Sequence, residues 1–194
     1  MTENNWRELL ERSHQALATT VAAIPDDGWK LPTPCAEWNV TQVVQHAVGD
    51  QIAYTSALTG GPGPGWNPFA PSGTLDVDAA DLVRQTLSES AAAWAGVDDD
   101  AADVPTPLPQ GPMPAWLAAG ACALDAAVHA WDLAVATGSA SPLTDEMAAG
   151  LLRVAEEIVE PLRSYGAYGP VVDGGGSPVD TLLRYLGRRP EWTV

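Results

Sequence analysis

The chain has 194 residues, of which 46% are apolar, and carries a formal net charge of −16 at neutral pH. That length can bury a core without disulfide staples, the acidic excess disfavours nucleic acid and anionic membranes as partners, and no apolar run approaches the roughly 20 residues that span a bilayer. The polar N-terminus lacks the pattern of a secretion signal, and neither Cys35 nor Cys122 belongs to a C-x-x-C pair, so we expect a cytoplasmic protein without a cysteine-rich zinc site.

Hydrophobic spacing predicts helices along most of the chain. Asn39 or Thr41 is expected to cap the second helix, Asp76 or Asp78 to begin the third, and Gly138 to end the fourth. The predicted helical segments, in chain order, are 6–23, 39 or 41 to 58, 76 or 78 to 94, 115–137, 144–165 and 179–186.

Two long loops separate these helices. Residues 59–73 are rich in Gly and Pro and carry Trp66 and Phe69, which predicts either a loop folded over a pocket or a tuck against the helices. Residues 98–114 are acidic and Pro-rich. Without an alternating strand pattern or a repeat, the chain is expected to be all-α: a four-helix bundle with additional C-terminal helices, in one domain over 1–194, with its core at 5–138 and a helical extension at 143–194.

A metal site is the first chemical hypothesis. Asp125 lies four residues before His129 on the predicted fourth helix, so the two side chains share one face. His46 lies beside the apolar stripe of the second helix and is the best third ligand. Two imidazoles and one carboxylate would leave open positions on the metal, as catalytic sites do. Spacing alone also permits an exposed ion pair, a capping contact or a buried hydrogen-bonded triad without metal.

Three blocks of sequence carry a family resemblance: TPCAEWNVTQVVQHAVG at 33–49, DAAVHAWDLAVATG at 125–138, and SPVDTLLRYLGRRPEW near the end. In this order they resemble the actinobacterial branch of the DinB-like metalloenzymes, which is described as mycothiol-dependent or maleylpyruvate-isomerase-like. The resemblance implies a four-helix bundle that binds a divalent metal through one ligand on the second helix and two on the fourth. Those positions are His46, Asp125 and His129 here.

This sequence also departs from the family pattern. Many relatives have His or Glu where this chain has Asp125, and an Arg often follows the W-D-L-A block where this chain has Val135. Maleylpyruvate isomerase relatives carry a sizeable C-terminal domain, whereas a shorter stretch follows the fourth helix here. These departures leave a thiol-independent reaction open beside a mycothiol-dependent one.

Three further residues are candidates for contacts with the metal ligands or the substrate. Asp132 is placed to accept the free N–H of His129, or else to cap a turn or face solvent. His14 could contact substrate or act as a base, against the alternative of a hydrogen-bonded boundary residue. Arg84 could clamp a substrate carboxylate, against the alternative of a surface ion pair.

The resemblance and the ligand set together imply a metal-dependent isomerase or S-transferase. It would activate a thiol, water or a substrate oxygen on a small molecule, with mycothiol as the candidate cosubstrate. Zinc is the first expectation for the metal, with nickel, iron or manganese as alternatives for two nitrogens and one oxygen. The competing hypotheses are a thiol-independent isomerase, cyclase or hydrolase, a non-catalytic metal-binding module, and a metal-free scaffold. Homodimer formation is left open.

Overall fold

A computed structural model describes residues 5–193. Within that range the chain is all-helical, and its only β-type pairings are two isolated bridges, so the expected fold class is confirmed. None of the described helices is both long and apolar enough to cross a membrane. The helices are α1 (Trp6–Ala22), α2 (Val40–Thr59), α3 (Ala79–Ala95), α4 (Ala115–Ala136), α5 (Asp145–Arg163) and α6 (Pro178–Tyr185).

The helix ends follow local capping chemistry. Asn39 caps α2: its side chain accepts a hydrogen bond from the Gln42 backbone N–H at 3.1 Å, and the Gln42 side chain accepts one from the Asn39 backbone N–H at 3.0 Å. Thr41, the other candidate cap, instead donates its hydroxyl to the Trp29 carbonyl. Asp78, the second of the two candidates, caps α3.

The predicted end of α5 at Tyr165 is two residues late. The helix stops at Arg163 because Gly166 adopts a φ of 77° and the Ala167 backbone N–H donates back to Leu162. A left-handed glycine of this kind satisfies the last helical carbonyls and turns the chain away.

The first four helices form a bundle in which α1 and α2 each contact both α3 and α4. The order around the bundle is therefore α1, α3, α2, α4. Helix α4 also packs against α5, and it is buried on nearly every side, which its run of alanines allows. At Gly120 an added Cβ would lie 2.4 Å from a methyl carbon of Val154, so glycine is needed for the close approach of α4 to α5.

The segment after α6 returns to the bundle. Helix α6 packs on α5. The core consists of two clusters of buried hydrophobic residues, and Trp192, which follows α6, packs against both. This return places the end of the described chain beside α4.

Candidate metal centre

The fold brings the three predicted metal ligands together between α2 and α4. His46 comes from α2, and Asp125 and His129 lie one turn apart on α4. The Asp125 Oδ1 atom is 3.5 Å from His46 Nε2 and 3.4 Å from His129 Nε2. All three side chains are about nine-tenths buried, with exposed fractions of 9, 11 and 8% for His46, Asp125 and His129. These residues are called the triad below.

Both imidazole rings are oriented by a hydrogen bond at Nδ1, the ring nitrogen that does not face Asp125. The His129 Nδ1 atom lies 3.0 Å from Asp132 Oδ2, and the His46 Nδ1 atom lies 3.1 Å from the Pro68 carbonyl oxygen. Since a carboxylate and a carbonyl can only accept hydrogen bonds, each Nδ1 carries the proton. When these rings are neutral, the proton on Nδ1 leaves the Nε2 lone pair free, and in both rings Nε2 faces Asp125. This Nδ1–H tautomer is the one in which Nε2 can bind a metal.

The donor set fits a divalent metal. Asp125 Oδ2 is buried and has no hydrogen-bond partner within the described chain, which is costly for a carboxylate oxygen. With metal–ligand bonds of about 2.0–2.1 Å, neighbouring ligands of a tetrahedral zinc ion lie roughly 3.3–3.4 Å apart, close to the two spacings at Asp125 Oδ1. The residues present can accept such an ion without a large rearrangement.

The electrostatics of the site also favour a cation. Burial acts to lower the pKa of His46, but hydrogen bonding to Asp125 and the charges of Asp50 and Asp125 outweigh it and raise the pKa to about 9. Burial, followed by repulsion from Asp125, raises the pKa of Asp50 to about 7. In the metal-free protein a proton on His46 therefore supplies the positive charge that this acidic cluster attracts.

Asp50 is a site residue that the sequence reasoning missed. Its Oδ2 atom lies 3.8 Å from His46 Nε2, and its side chain is 20% exposed. A signal was present: Asp50 follows His46 at the same four-residue spacing that joins Asp125 to His129. Asp50 is therefore the carboxylate best placed to add a fourth ligand, an oxygen, beside the two nitrogens and one carboxylate of the triad.

The loop between α2 and α3 covers one side of the triad. Its Pro68 lies so close to Gly49 that an added Cβ would be 2.7 Å from the proline ring, and this contact lets the Pro68 carbonyl reach His46. The Phe69 ring centre is 5.6 Å from that of His46, although Phe69 is 67% exposed, and the Trp66 indole N–H donates to the Gln45 carbonyl. The loop therefore tucks against α2, which is one of the two expectations, and Phe69 also lies beside His46.

Asp132 is joined to a second cluster behind His129. The Arg188 guanidinium donates from Nη2 to Asp132 Oδ2 at 3.0 Å, and the Cys35 thiol donates to the same oxygen at 3.2 Å. Cys35, His129 and Asp132 also have ligand atoms within 4.8 Å of one another. Burial and the Asp132 charge raise the pKa of Cys35 despite the nearby arginine, so Cys35 is a protonated thiol and a poor metal ligand.

His14 and Arg84 lie elsewhere in the bundle. They line a cavity of about 490 Å³ between α1 and α3, whose lining contains none of the triad residues. His14 Nε2 is 2.9 Å from Gln51 Oε1, and burial, opposed by that hydrogen bond, lowers the pKa of His14 to about 4. Arg84 is 71% exposed and paired with Asp81. Their proposed roles at the triad stay predictions that no contact in the structure supports.

Comparison with known proteins identifies the family. A family profile described as the mycothiol maleylpyruvate isomerase N-terminal domain matches residues 10–134, which is more than half of the chain and includes the whole triad. The chain belongs to this family. The resemblance noted in the sequence is thereby confirmed at family level.

Relatives of this mycothiol maleylpyruvate isomerase family member include uncharacterised proteins from two strains of Mycobacterium tuberculosis. Each is 31% identical over 185 residues, covering 92% of this chain and 94% of the relative. A solved structure of the mycothiol-dependent maleylpyruvate isomerase, a histidine-to-alanine mutant, matches with a TM-score of 0.62 at 18% identity. The match covers 86% of this chain and 73% of the isomerase chain, and at this identity it shows a shared fold.

Arg188 lies outside the segment that the mycothiol maleylpyruvate isomerase profile matches. Sequence reasoning did not assign it a role, because 56 residues separate it from Asp132 and no local pattern joins them. Its one signal was membership of the third resemblance block, near the end of the chain.

Proposed function

We propose that this protein is a metal-dependent enzyme in which His46, Asp125 and His129 hold one divalent ion, with zinc the first expectation. The reaction is isomerisation or thiol transfer on a small molecule, with mycothiol as the thiol. The observation that carries the proposal is the convergence of two imidazole Nε2 atoms on one Asp125 oxygen, while the other Asp125 oxygen is buried and has no hydrogen-bond partner among residues 5–193.

The chemistry needs an activated nucleophile in a site partly shielded from water. A bound divalent ion lowers the pKa of a thiol or water and polarises a substrate oxygen. The protein's own contribution is to hold both imidazoles in the Nδ1–H tautomer through Pro68 and Asp132. The Trp38 and Phe69 rings flank His46, at centre-to-centre distances of 4.7 and 5.6 Å, and limit water access on that side.

The first experiment is a metal determination. The protein is purified without a histidine tag or chelator, and its metal content is measured by plasma mass spectrometry beside His46→Ala and His14→Ala. We expect one divalent ion per chain in the wild type and in His14→Ala, and none in His46→Ala. His14→Ala is the matched control, because it removes a buried imidazole that is not part of the triad. It therefore distinguishes the loss of a metal ligand from a general effect of removing a histidine side chain.

A wild type that stays metal-free after reconstitution with zinc, nickel, manganese and anaerobic iron(II) would contradict the proposal. The triad would then be a hydrogen-bonded feature of a metal-free scaffold. Retention of the metal by His46→Ala would exclude the proposed ligand set. Metal without turnover on any tested substrate would favour the non-catalytic binding module.

The thiol is tested in a second step. The metal-loaded protein is incubated with conjugated cis double-bond acids and with activated electrophiles, with and without mycothiol. We expect turnover that depends on mycothiol and is lost in His129→Ala.

A thiol-independent reaction is the second candidate. It is favoured by Val135, which stands where relatives often have an arginine that could hold an anionic cosubstrate. Arg188 reaches the site, but its guanidinium is paired with Asp132 and does not replace that arginine. Turnover of the same substrates without mycothiol would support this candidate over the thiol-dependent one.

A further inference from the structure

Arg188 connects the C-terminal segment to the back of the triad. Its guanidinium meets Asp132 through two nitrogens, Nη2 to Oδ2 at 3.0 Å and Nε to Oδ1 at 3.4 Å. Further hydrogen bonds from Nη1 to the Leu186 carbonyl, at 3.3 Å, and from Nη2 to the Cys35 thiol, at 3.5 Å, fix the planar group. The Arg188 side chain is only 11% exposed, so this is an interior contact.

Asp132 depends on this partner. Its side chain is fully buried, and a buried carboxylate is costly unless it is paired and hydrogen-bonded. The Arg188 guanidinium, 3.0 Å away, supplies the compensating positive charge, and the His129 Nδ1–H supplies a further hydrogen bond. Asp132 therefore stays an ionised acceptor that faces His129.

Arg188 and His129 donate to the same carboxylate oxygen, which also accepts a hydrogen bond from the Cys35 thiol. Asp132 Oδ2 lies 3.0 Å from Arg188 Nη2 and 3.0 Å from His129 Nδ1. A guanidinium that donates from two nitrogens fixes the plane of the carboxylate with which it pairs. Arg188 therefore also fixes the direction in which Asp132 Oδ2 accepts the Nδ1–H of His129. The His129 ring is thereby aimed with Nε2 toward Asp125.

We propose that Arg188 is a positioning residue for the metal centre, acting through Asp132 to fix the tautomer and orientation of His129. This inference rests on the proposed function for its effect on metal affinity, but not for its effect on the ring. Arg188 lies beyond the segment that the family profile matches. If it orients His129, folding of the C-terminal extension is coupled to the correct arrangement of the triad.

The test is a double-mutant cycle read by zinc affinity. The four proteins are the wild type, Arg188→Met, Asp132→Asn and the double variant, each titrated with zinc against a chromophoric chelator. Loss of an outer hydrogen-bond partner of a ligating histidine costs about 10–100-fold in metal affinity, and we expect each single variant to fall in that range. If Arg188 acts through Asp132, its substitution in the Asp132→Asn background adds less than about threefold, because interacting residues are not additive.

Arg189→Met is the matched control, since Arg189 is the adjacent arginine and is exposed. It should bind zinc as the wild type does. Arg188→Lys, which keeps the charge but loses the planar fork, should recover part of the affinity lost in Arg188→Met. Circular dichroism of each metal-free variant verifies that the helices are retained, and Arg188→Lys serves as the test variant if Arg188→Met does not fold.

A second readout needs no metal. Long-range ¹⁵N–¹H spectra of the imidazoles report which ring nitrogen carries the proton. We expect the His129 proton on Nδ1 in the wild type and in Arg189→Met, and a mixture of tautomers in Arg188→Met. His46, which is held by Pro68 instead, should be unchanged and serves as the internal reference.

The outcomes separate this inference from the proposed function. A wild type that binds no metal but shows the tautomer change would end the proposed function and leave the positioning role standing. Metal binding with additive losses in the cycle, or with His129 unchanged in Arg188→Met, would overturn the positioning role and leave the proposed function standing.

Discussion

Asp125→Asn is the most informative single substitution because it removes the triad's negative charge at almost constant volume. In the metal-free protein two effects oppose each other. The substitution loses the attraction of the carboxylate to His46, 3.5 Å away, and it removes a buried carboxylate oxygen that has no hydrogen-bond partner in the described part of the chain. Each effect is on the order of 1–3 kcal/mol, so we expect the metal-free stability to change little.

The metal-bound protein should respond differently. At a free zinc concentration about 100-fold above the dissociation constant, binding stabilises the folded state by about 2.7 kcal/mol. For a chain of this size about 1 kcal/mol shifts Tm by roughly 2–4 °C, so zinc should raise the wild-type Tm by roughly 5–11 °C. If the variant binds about 100-fold more weakly, the same zinc concentration gives only about 0.4 kcal/mol, or a shift of roughly 1–2 °C.

Differential scanning calorimetry of dialysed, metal-free protein measures both quantities, with and without zinc at one fixed concentration. Asp26→Asn, an exposed aspartate in a loop, is the matched control and should keep the full shift. A full zinc shift in Asp125→Asn would show that Asp125 is not a ligand. No shift in the wild type with zinc or the other candidate metals would refute the metal centre itself.

Three further predictions concern the loop, the charge and the packing. Gly49→Ala should displace Pro68 and weaken zinc binding while the helices remain, as measured by chelator competition and circular dichroism. The pKa of His46 is raised from 6.5 to about 9. Protonated His46 should therefore stabilise the metal-free protein fully below pH 6.5, and this contribution should be lost as the pH rises through about 9. Urea unfolding across that pH range measures the change in the free energy of unfolding. Gly120→Ala should lower the free energy of unfolding by about 1–3 kcal/mol through overpacking against Val154, and Val154→Ala should restore part of it.

Each of these has a contrary result. Unchanged zinc affinity in Gly49→Ala would mean that the Pro68 contact does not orient His46. A stability profile that does not fall across the window, or one that falls equally in His46→Gln, would contradict the assignment of that proton to His46. If Val154→Ala and Gly120→Ala are simply additive, the close contact between α4 and α5 is not the source of the loss.

The sequence by itself determined the helices and one half of the site. Amphipathic spacing placed the six helices with ends that differ by at most a few residues, and the side-chain chemistry of Asn39 and Asp78 explains where two of them begin. The pairing of Asp125 with His129 follows from helix geometry, since positions four apart share a face whatever surrounds them. The apolar stripe beside His46 made it the best third candidate, and the family resemblance implied the same residue, but helix geometry could not place it opposite the pair because it lies on another helix.

Only the tertiary structure decided what surrounds those candidate ligands. The Pro68 carbonyl reaches His46 across 22 residues, and Arg188 reaches Asp132 across 56. His14 was a candidate for contact with substrate, yet packing pairs it with Gln51 beside a separate cavity. The physical reason is that helix formation and capping depend on neighbours within one or two turns. The orientation and charge of a ligating side chain depend instead on whichever distant segments the packed core brings against it.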